Sequence, residues 1–204
     1  MRDPFLITTP TIINVSGGRT SALMLRRYLD ANGGRLPAET HAVFANVGRE
    51  RPETLDFLVR CAEAWGVDLR WIERTPGGGF REVTPETASR DGEPLATLFR
   101  ERRYLSNPVT RFCTADGKIQ TARDFMRARG YDHWTSAVGL RYDEPSRVHK
   151  LRARDAGQWD VACPLYDAKV TKGHVAEFWS RQPFDLALKS WEGNCDLCFL
   201  KGRT

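Results

Sequence analysis

Thr11-Ile12-Ile13-Asn14-Val15-Ser16-Gly17-Gly18-Arg19-Thr20-Ser21 is the stretch from which the rest of the chain can be read. Its first five residues form a short β-rich run, small residues follow, and residues 21–29 place apolar side chains at helical spacing. The order is strand, tight loop, helix. A Ser-Gly-Gly loop in that position suits phosphate, because glycine has no Cβ to keep backbone N–H groups from the oxygens. The helix that follows adds its positive end, Ser16, Thr20 and Ser21 add hydroxyls, and Arg19 adds a forked cation. The pattern lacks the Gly-Lys-Ser/Thr of a Walker loop and the three spaced glycines of a dinucleotide fingerprint. Taken alone, the glycine pair also fits a plain tight turn with Thr20 as helix cap.

Outward from this run, residues 42–46 read as a second strand ending near Gly48, with Pro52 opening a helix to about Trp65. A third strand spans 67–72. Residues 74–94, with Gly77-Gly78-Gly79 and several charges, read as a mobile connection or lid. A helix over 118–129, strands over 134–138 and 161–165, and a helix over 172–179 follow. Successive strand-to-helix units with short loops predict an α/β fold, a parallel twisted sheet with helices on both faces. One domain is expected over residues 1–204, with a Cys-x-x-Cys segment at about 190–204.

At 204 residues, with 41% hydrophobic and 28% charged residues, the chain can bury a core without staples. It has no apolar run long enough to span a bilayer and no signal-like start, so the expectation is a cytoplasmic protein with no membrane partner. The net charge of +5 favours anionic ligands, nucleotides or nucleic acid. Five cysteines in a reducing compartment argue against a disulfide framework. Cys195 and Cys198 have the spacing of a metal, cluster or redox pair. Cys61 and Cys163 fall on apolar patterns and read as core thiols. His174 is available to zinc but reads equally as a helix-end residue. Trp134, Trp159, Trp179 and Trp191 read mostly as core rather than as base-stacking platforms.

Residues 16–21 resemble the Ser-Gly-Gly-x-Asp-Ser signature of the PP-loop, or adenine nucleotide α-hydrolase, superfamily. Other segments are similar to its phosphoadenosine phosphosulfate reductase-like family, in particular the short phage-type and uncharacterised bacterial members. These are Phe44-Ala45-Asn46-Val47-Gly48-Arg49-Glu50-Arg51-Pro52-Glu53-Thr54, Arg111-Phe112-Cys113-Thr114 with Lys118, and Gly139-Leu140-Arg141-Tyr142-Asp143-Glu144 with Arg147. The resemblance implies a Rossmann-like fold of the α-hydrolase type. It assigns Ser16, Gly17, Gly18, Arg19, Thr20, Ser21, Asn46, Gly48, Arg49, Glu50, Gly139 and Arg141 to the nucleotide, with Arg19 and Arg141 catalytic. Arg111, Lys118, Glu144 and Arg147 fall to the substrate. Thr20 stands where the signature has Asp, which bears on cleavage at the α-phosphate more than on phosphate binding.

Cluster-bearing reductases of this kind use a Cys-Cys pair and a later Cys-x-x-Cys. Phe112 replaces the first of the pair, leaving Cys113, Cys195 and Cys198, a set that resembles the three-cysteine [4Fe-4S] clusters of PP-loop tRNA thiolation enzymes. Zinc and unmetallated thiols remain the alternatives. The reductases' Glu-Cys-Gly-x-His tail does not match residues 199–204, so ordinary sulfonucleotide reduction is not the first expectation. That expectation is ATP-dependent, adenylating sulfur transfer, with Mg2+ compatible, a nucleic-acid substrate, and a sulfur or thiol donor protein. Its rivals are sulfonucleotide reduction and a non-catalytic nucleotide-binding module with structural zinc. The oligomeric state stays open, a homodimer being compatible.

Overall fold

The computed structural model describes residues 3–153, 157–189 and 191–198. In chain order the elements are β1 (Thr11–Asn14), α1 (Arg19–Ala31), β2 (Thr40–Asn46), α2 (Pro52–Trp65), β3 (Leu69–Arg74), β4 (Phe80–Val83) and α3 (Glu93–Arg102). A short turn α4 (Phe112–Thr114), a π-helical segment (Ala115–Gln120), α5 (Thr121–Ala128), β5 (Trp134–Val138), α6 (Pro145–Arg152), β6 (Trp159–Ala162), α7 (Pro164–Asp167) and α8 (Lys172–Ser180) follow.

The strands form one sheet in the order β4-β3-β2-β1-β5-β6. All neighbours are parallel except β3 and β4. Parallel strands alternate side chains between two covered faces, and β2 shows it. Ala42 and Phe44 join a core with Leu25, Phe57, Leu58 and Trp179 from α1, α2 and α8, while Val43 packs with Ile12, Ile72, Phe125 and Met126 on the side of α5. Each large apolar side chain buried this way contributes about 1.5–3 kcal/mol. The order reverses at β1, whose neighbours are β2 on one side and β5 on the other. In such sheets the crevice for ligands opens beyond the carboxyl ends of the strands at the reversal.

The expected α/β sheet with helices on both faces is observed, with corrections. Residues 74–94 are not a loose lid. β4 pairs antiparallel with β3 across a glycine turn, Arg74 opposite Phe80, and the buried Glu73 carboxylate accepts from the Ser89 N–H at 2.6 Å and from Arg81 Nη2 at 2.7 Å. That one carboxylate pins the excursion at both ends. The last strand is Trp159–Ala162, because Cys163 and Pro164 already begin α7. The helix expected over 118–129 starts as a π-helical segment, where the Thr121 hydroxyl donates to the carbonyls of Asp116 and Gly117 at 3.2 and 3.1 Å. The sequence reading had no counterpart for α3 or α6. Among the described residues no helix is long and apolar enough to cross a membrane.

Candidate nucleotide and thiol site

Because the five parallel strands point the same way, the segments after β1, β2 and β5 meet at one edge of the sheet. Gly17 has φ +79°, and a Cβ there would stand 2.3 Å from Cγ2 of the buried Thr54, so the loop closes over α2 only with glycine. The loop is held in shape from within. Ser21 Oγ accepts from the Ser16 N–H at 3.0 Å and donates to the Gly18 carbonyl at 3.0 Å. Gly139 crosses the start of α1 so closely that a Cβ would lie 3.2 Å from Ser21 Cα. The N-cap of α1 is Gly18, with no side-chain cap. Thr20 is therefore inside the helix and not its cap, and the first-turn N–H groups face the loop without a side chain taking them up.

The arginines divide differently from the sequence expectation. Arg19 points away from the loop, with Nε 2.7 Å from Asp185 Oδ1, Nη1 3.1 Å from the Leu188 carbonyl and Nη2 on the Leu186 carbonyl. Its fork is taken by the chain after α8. Arg141 comes to the loop instead: its Nη1 donates to Thr20 Oγ1 at 3.3 Å, and Asp143 and Glu144 hold the rest of the guanidinium. Thus the residue in the Asp position of the signature meets an arginine. Glu144 also accepts from the Arg141 N–H at 3.1 Å and from Arg147, which is largely exposed. Arg111 is exposed at the start of α4, beside Cys113.

Beyond β2 the expected nucleotide residues are mostly internal. Asn46, 1% exposed, donates to Glu73 Oε1 at 2.7 Å and to the Ser89 carbonyl at 2.9 Å, and accepts from the Gly48 N–H at 3.1 Å. Its part is to shape the turn at Gly48. Glu50, with a fully buried carboxylate, accepts from the Val47 N–H and pairs with Lys118 Nζ at 3.0 Å. Lys118 projects from the π-helical segment, a departure from α-geometry that recurs at functional sites. Burial works against its charge. Glu50, with smaller contributions from Cys195 and Cys113, outweighs that, and the Lys118 pKa is held above the ordinary lysine value. Two of the three cysteines singled out in the sequence thus act on the charge of this ammonium.

The third side of the corner is the Cys-x-x-Cys segment. Cys195 pairs with Glu50 as an antiparallel bridge. The Arg51 N–H donates to the Asn194 carbonyl at 2.8 Å, the Asp196 N–H to the Arg49 carbonyl at 3.0 Å, and Arg49 Nη2 lies 2.9 Å from Asp196 Oδ2. Asn194 Nδ2 donates to the Ser16 carbonyl at 3.0 Å. Burial pushes the Cys195 thiol up to about 11. Cys113 and Cys198 are half-buried, whereas Cys61 and Cys163 lie in the core, where burial pushes Cys61 to about 12. A cleft of about 250 Å³ opens between Arg49, Arg51, Arg90 and Asp196.

Among the described residues no three His, Cys, Asp or Glu side chains gather closely enough to hold a metal ion. His174 is the helix-end residue of the earlier alternatives: its Nδ1 accepts from the Thr171 N–H at 3.1 Å and closes a capping box on α8. Trp134 and Trp179 are core, Trp159 is half-buried and Trp191 is exposed. The tail reading at 199–204, like residue 190, lies outside the described residues. Sequence reasoning missed Asn194, although it had marked the segment that carries it, and Arg90, which sat in the stretch read as a lid.

No family model matches this chain. It is 26% identical over 199 residues to an uncharacterised nin region protein, ORF290, of Escherichia phage lambda, covering 93% of this chain and 66% of that protein. Its structure is similar to that of the U34-tRNA thiolase NcsA from Methanococcus maripaludis, determined with its [4Fe-4S] cluster, at a TM-score of 0.50 and 17% identity over 88% of this chain and 59% of that one. The chain thus spans about two-thirds or less of either relative's length. What this likeness establishes is the fold: a mostly parallel, Rossmann-like α/β sheet of the kind on which that thiolase is built.

Proposed function

We propose that this chain binds ATP at residues 16–21, adenylates an oxygen of a nucleic-acid substrate, and lets sulfur displace the AMP. The observation that carries the reading is the meeting, at one sheet edge, of a glycine loop whose α1 N–H groups have no side-chain cap with the Cys-x-x-Cys segment, which Asn194 ties to the loop and the Cys195 bridge ties to Glu50. In the first step the acceptor oxygen attacks the α-phosphorus and pyrophosphate leaves. In the second a hydrosulfide-level sulfur attacks the acceptor carbon, and the oxygen departs with AMP. Adenylation turns a poor leaving group into a good one.

The loop N–H groups would hold the phosphates, and Arg141, beside Thr20, would take up the charge that develops on pyrophosphate. Arg19 would instead brace the loop through Asp185. Arg111 and Arg147, both exposed, would meet the acceptor's own phosphates. Cys113, Cys195 and Cys198 suit a thiolate-ligated iron-sulfur cluster in kind, since an all-sulfur donor set selects such groups, although their side chains do not gather closely enough here to hold a metal ion. A cluster bound there would supply a thiophilic iron to present the sulfur. A structure of the same fold that carries a [4Fe-4S] cluster and thiolates tRNA supports this choice over structural zinc.

The test is anaerobic purification, metal analysis and an assay of pyrophosphate release from ATP with transfer RNA and sulfide. About four irons per chain, lost in Cys113→Ala and Cys198→Ala, together with RNA-dependent pyrophosphate release, is the expected result. Iron-free protein that binds ATP without releasing pyrophosphate overturns it.

A further inference from the structure

Among the described residues of the cysteine segment, Asn194 is the one whose side chain holds the backbone of the phosphate loop. Its Nδ2 donates to the Ser16 carbonyl at 3.0 Å, and the position a Cβ would take on Gly18 lies 3.0 Å from the same nitrogen. Its own carbonyl accepts from the Arg51 N–H at 2.8 Å and from Thr54 Oγ1 at 3.3 Å. Thr54 in turn is the residue against which Gly17 packs. Asn194 therefore joins the loop, the start of α2 and, through the peptide bond, Cys195. Other ties of this segment, Arg49 with Asp196, Arg51 with Glu192 and the Cys195 bridge to Glu50, reach the β2 side and the start of α2 and do not touch the loop.

We propose that Asn194 is a positioning residue that couples the two halves of the site, so that a nucleotide in the phosphate loop closes residues 194–196 against the loop. The inference rests on the nucleotide reading above. The physical argument is linkage. Phosphate on the Gly17 and Gly18 N–H groups fixes the peptide planes of the loop, and the Ser16 carbonyl is the acceptor that Asn194 uses. A nucleotide that favours the loop shape seen here therefore favours the closed segment, and the closed segment favours the nucleotide by the same factor. Gly18 without a side chain is what lets the amide lie so close. In the reaction this coupling would keep Cys195 in place while ATP is bound and free it afterwards.

Hydrogen exchange of the peptide covering 191–198, with and without ATP, reads the coupling whether or not the cysteines hold a metal. ATP is added at about 100 times the Kd measured for each protein, where a ligand that binds only the closed form slows opening by at most about 100-fold. The wild-type chain is expected to show slowing of about tenfold or more. Asn194→Asp, which keeps the shape but replaces the donor by a carboxylate facing the Ser16 carbonyl, is expected to show less than about twofold at matched saturation. Asp196→Asn is expected to exchange faster without ATP yet keep the ATP-dependent slowing, because it loosens the segment without touching the loop contact. Equal slowing in the wild type and Asn194→Asp, or no slowing in a wild-type chain that binds ATP, overturns the coupling alone. A wild-type chain that binds no ATP overturns the nucleotide reading and the coupling together.

Discussion

Gly17 and Gly66 have similar backbones, φ +79° and +60°, at opposite ends of the sheet, yet they are glycines for different reasons. Gly66 ends α2 and turns the chain into β3, and a Cβ there would meet nothing within 4 Å. Only its left-handed conformation asks for glycine. Gly17, at the carboxyl end of β1, has the same conformational need and also no room, since Thr54 stands 2.3 Å from where its Cβ would be. The surroundings repeat the contrast. The amino end of β2 carries half-exposed His41 beside Arg70 and Asp68 around an open groove, while its carboxyl end buries Asn46 and Glu50, with Glu73 of β3 beside them. One end reverses the chain. The other brings backbones and buried charges together, which is what a ligand site demands.

The largest test of that contrast removes a buried charge's partner. Lys118→Met leaves the Glu50 carboxylate, 0% exposed, without its cation, and is expected to cost about 3–5 kcal/mol in urea unfolding. Adding Glu50→Gln to the same chain should recover much of it, and no recovery would mean the pair is not what holds this corner. Next in size, Gly17→Ala combines a left-handed alanine with an overpacked contact and should cost about 2–4 kcal/mol, with loss of nucleotide binding. Thr54→Ser, which deletes the methyl in the way, should return part of the stability. At the amino end, Gly66→Ala should cost only about 1–2 kcal/mol and leave nucleotide affinity unchanged. Equal costs at Gly17 and Gly66 would erase the distinction between the two ends.

The smallest effect is a pH dependence at the amino end. Burial, then Arg129 and Arg70, hold the His41 pKa below the ordinary histidine value. Between that lowered value and the ordinary one the unfolded chain takes up a proton that the folded chain refuses, so stability falls as pH drops through the window. His41→Gln should flatten this part of the stability curve in urea titrations on either side of about pH 6. An unchanged slope would remove His41 as its source.

Local patterns carried much of the fold. The strand, glycine pair and helix of residues 11–29 and the Pro52 start of α2 were legible because a period of two or of 3.6 and a turn residue act within a few positions of each other. The antiparallel β4 was not, since what makes residues 74–94 ordered is Glu73 reaching Arg81 and Ser89, a carboxylate inside a strand whose partners no local pattern marks. The helix α3 offers only a thin apolar stripe, Leu95 and Leu98, among charges, and so gave little periodicity to read. In the site, the sequence placed Arg19 on the phosphates because it sits in the loop. The structure turns it to Asp185 and brings Arg141 from the end of β5.

By itself, then, the sequence determined the class of fold and the character of the loop, because both rest on the conformational limits of residues close in the chain. Only the tertiary structure decided which cation faces Thr20, that Glu50 is buried against Lys118, and that Asn194 reaches the Ser16 carbonyl. Those facts join residues separated by 68 to 178 positions. Which of many polar groups becomes the partner of another is settled by where the packed sheet delivers them, and the energies of such pairs depend on a burial that no local pattern records.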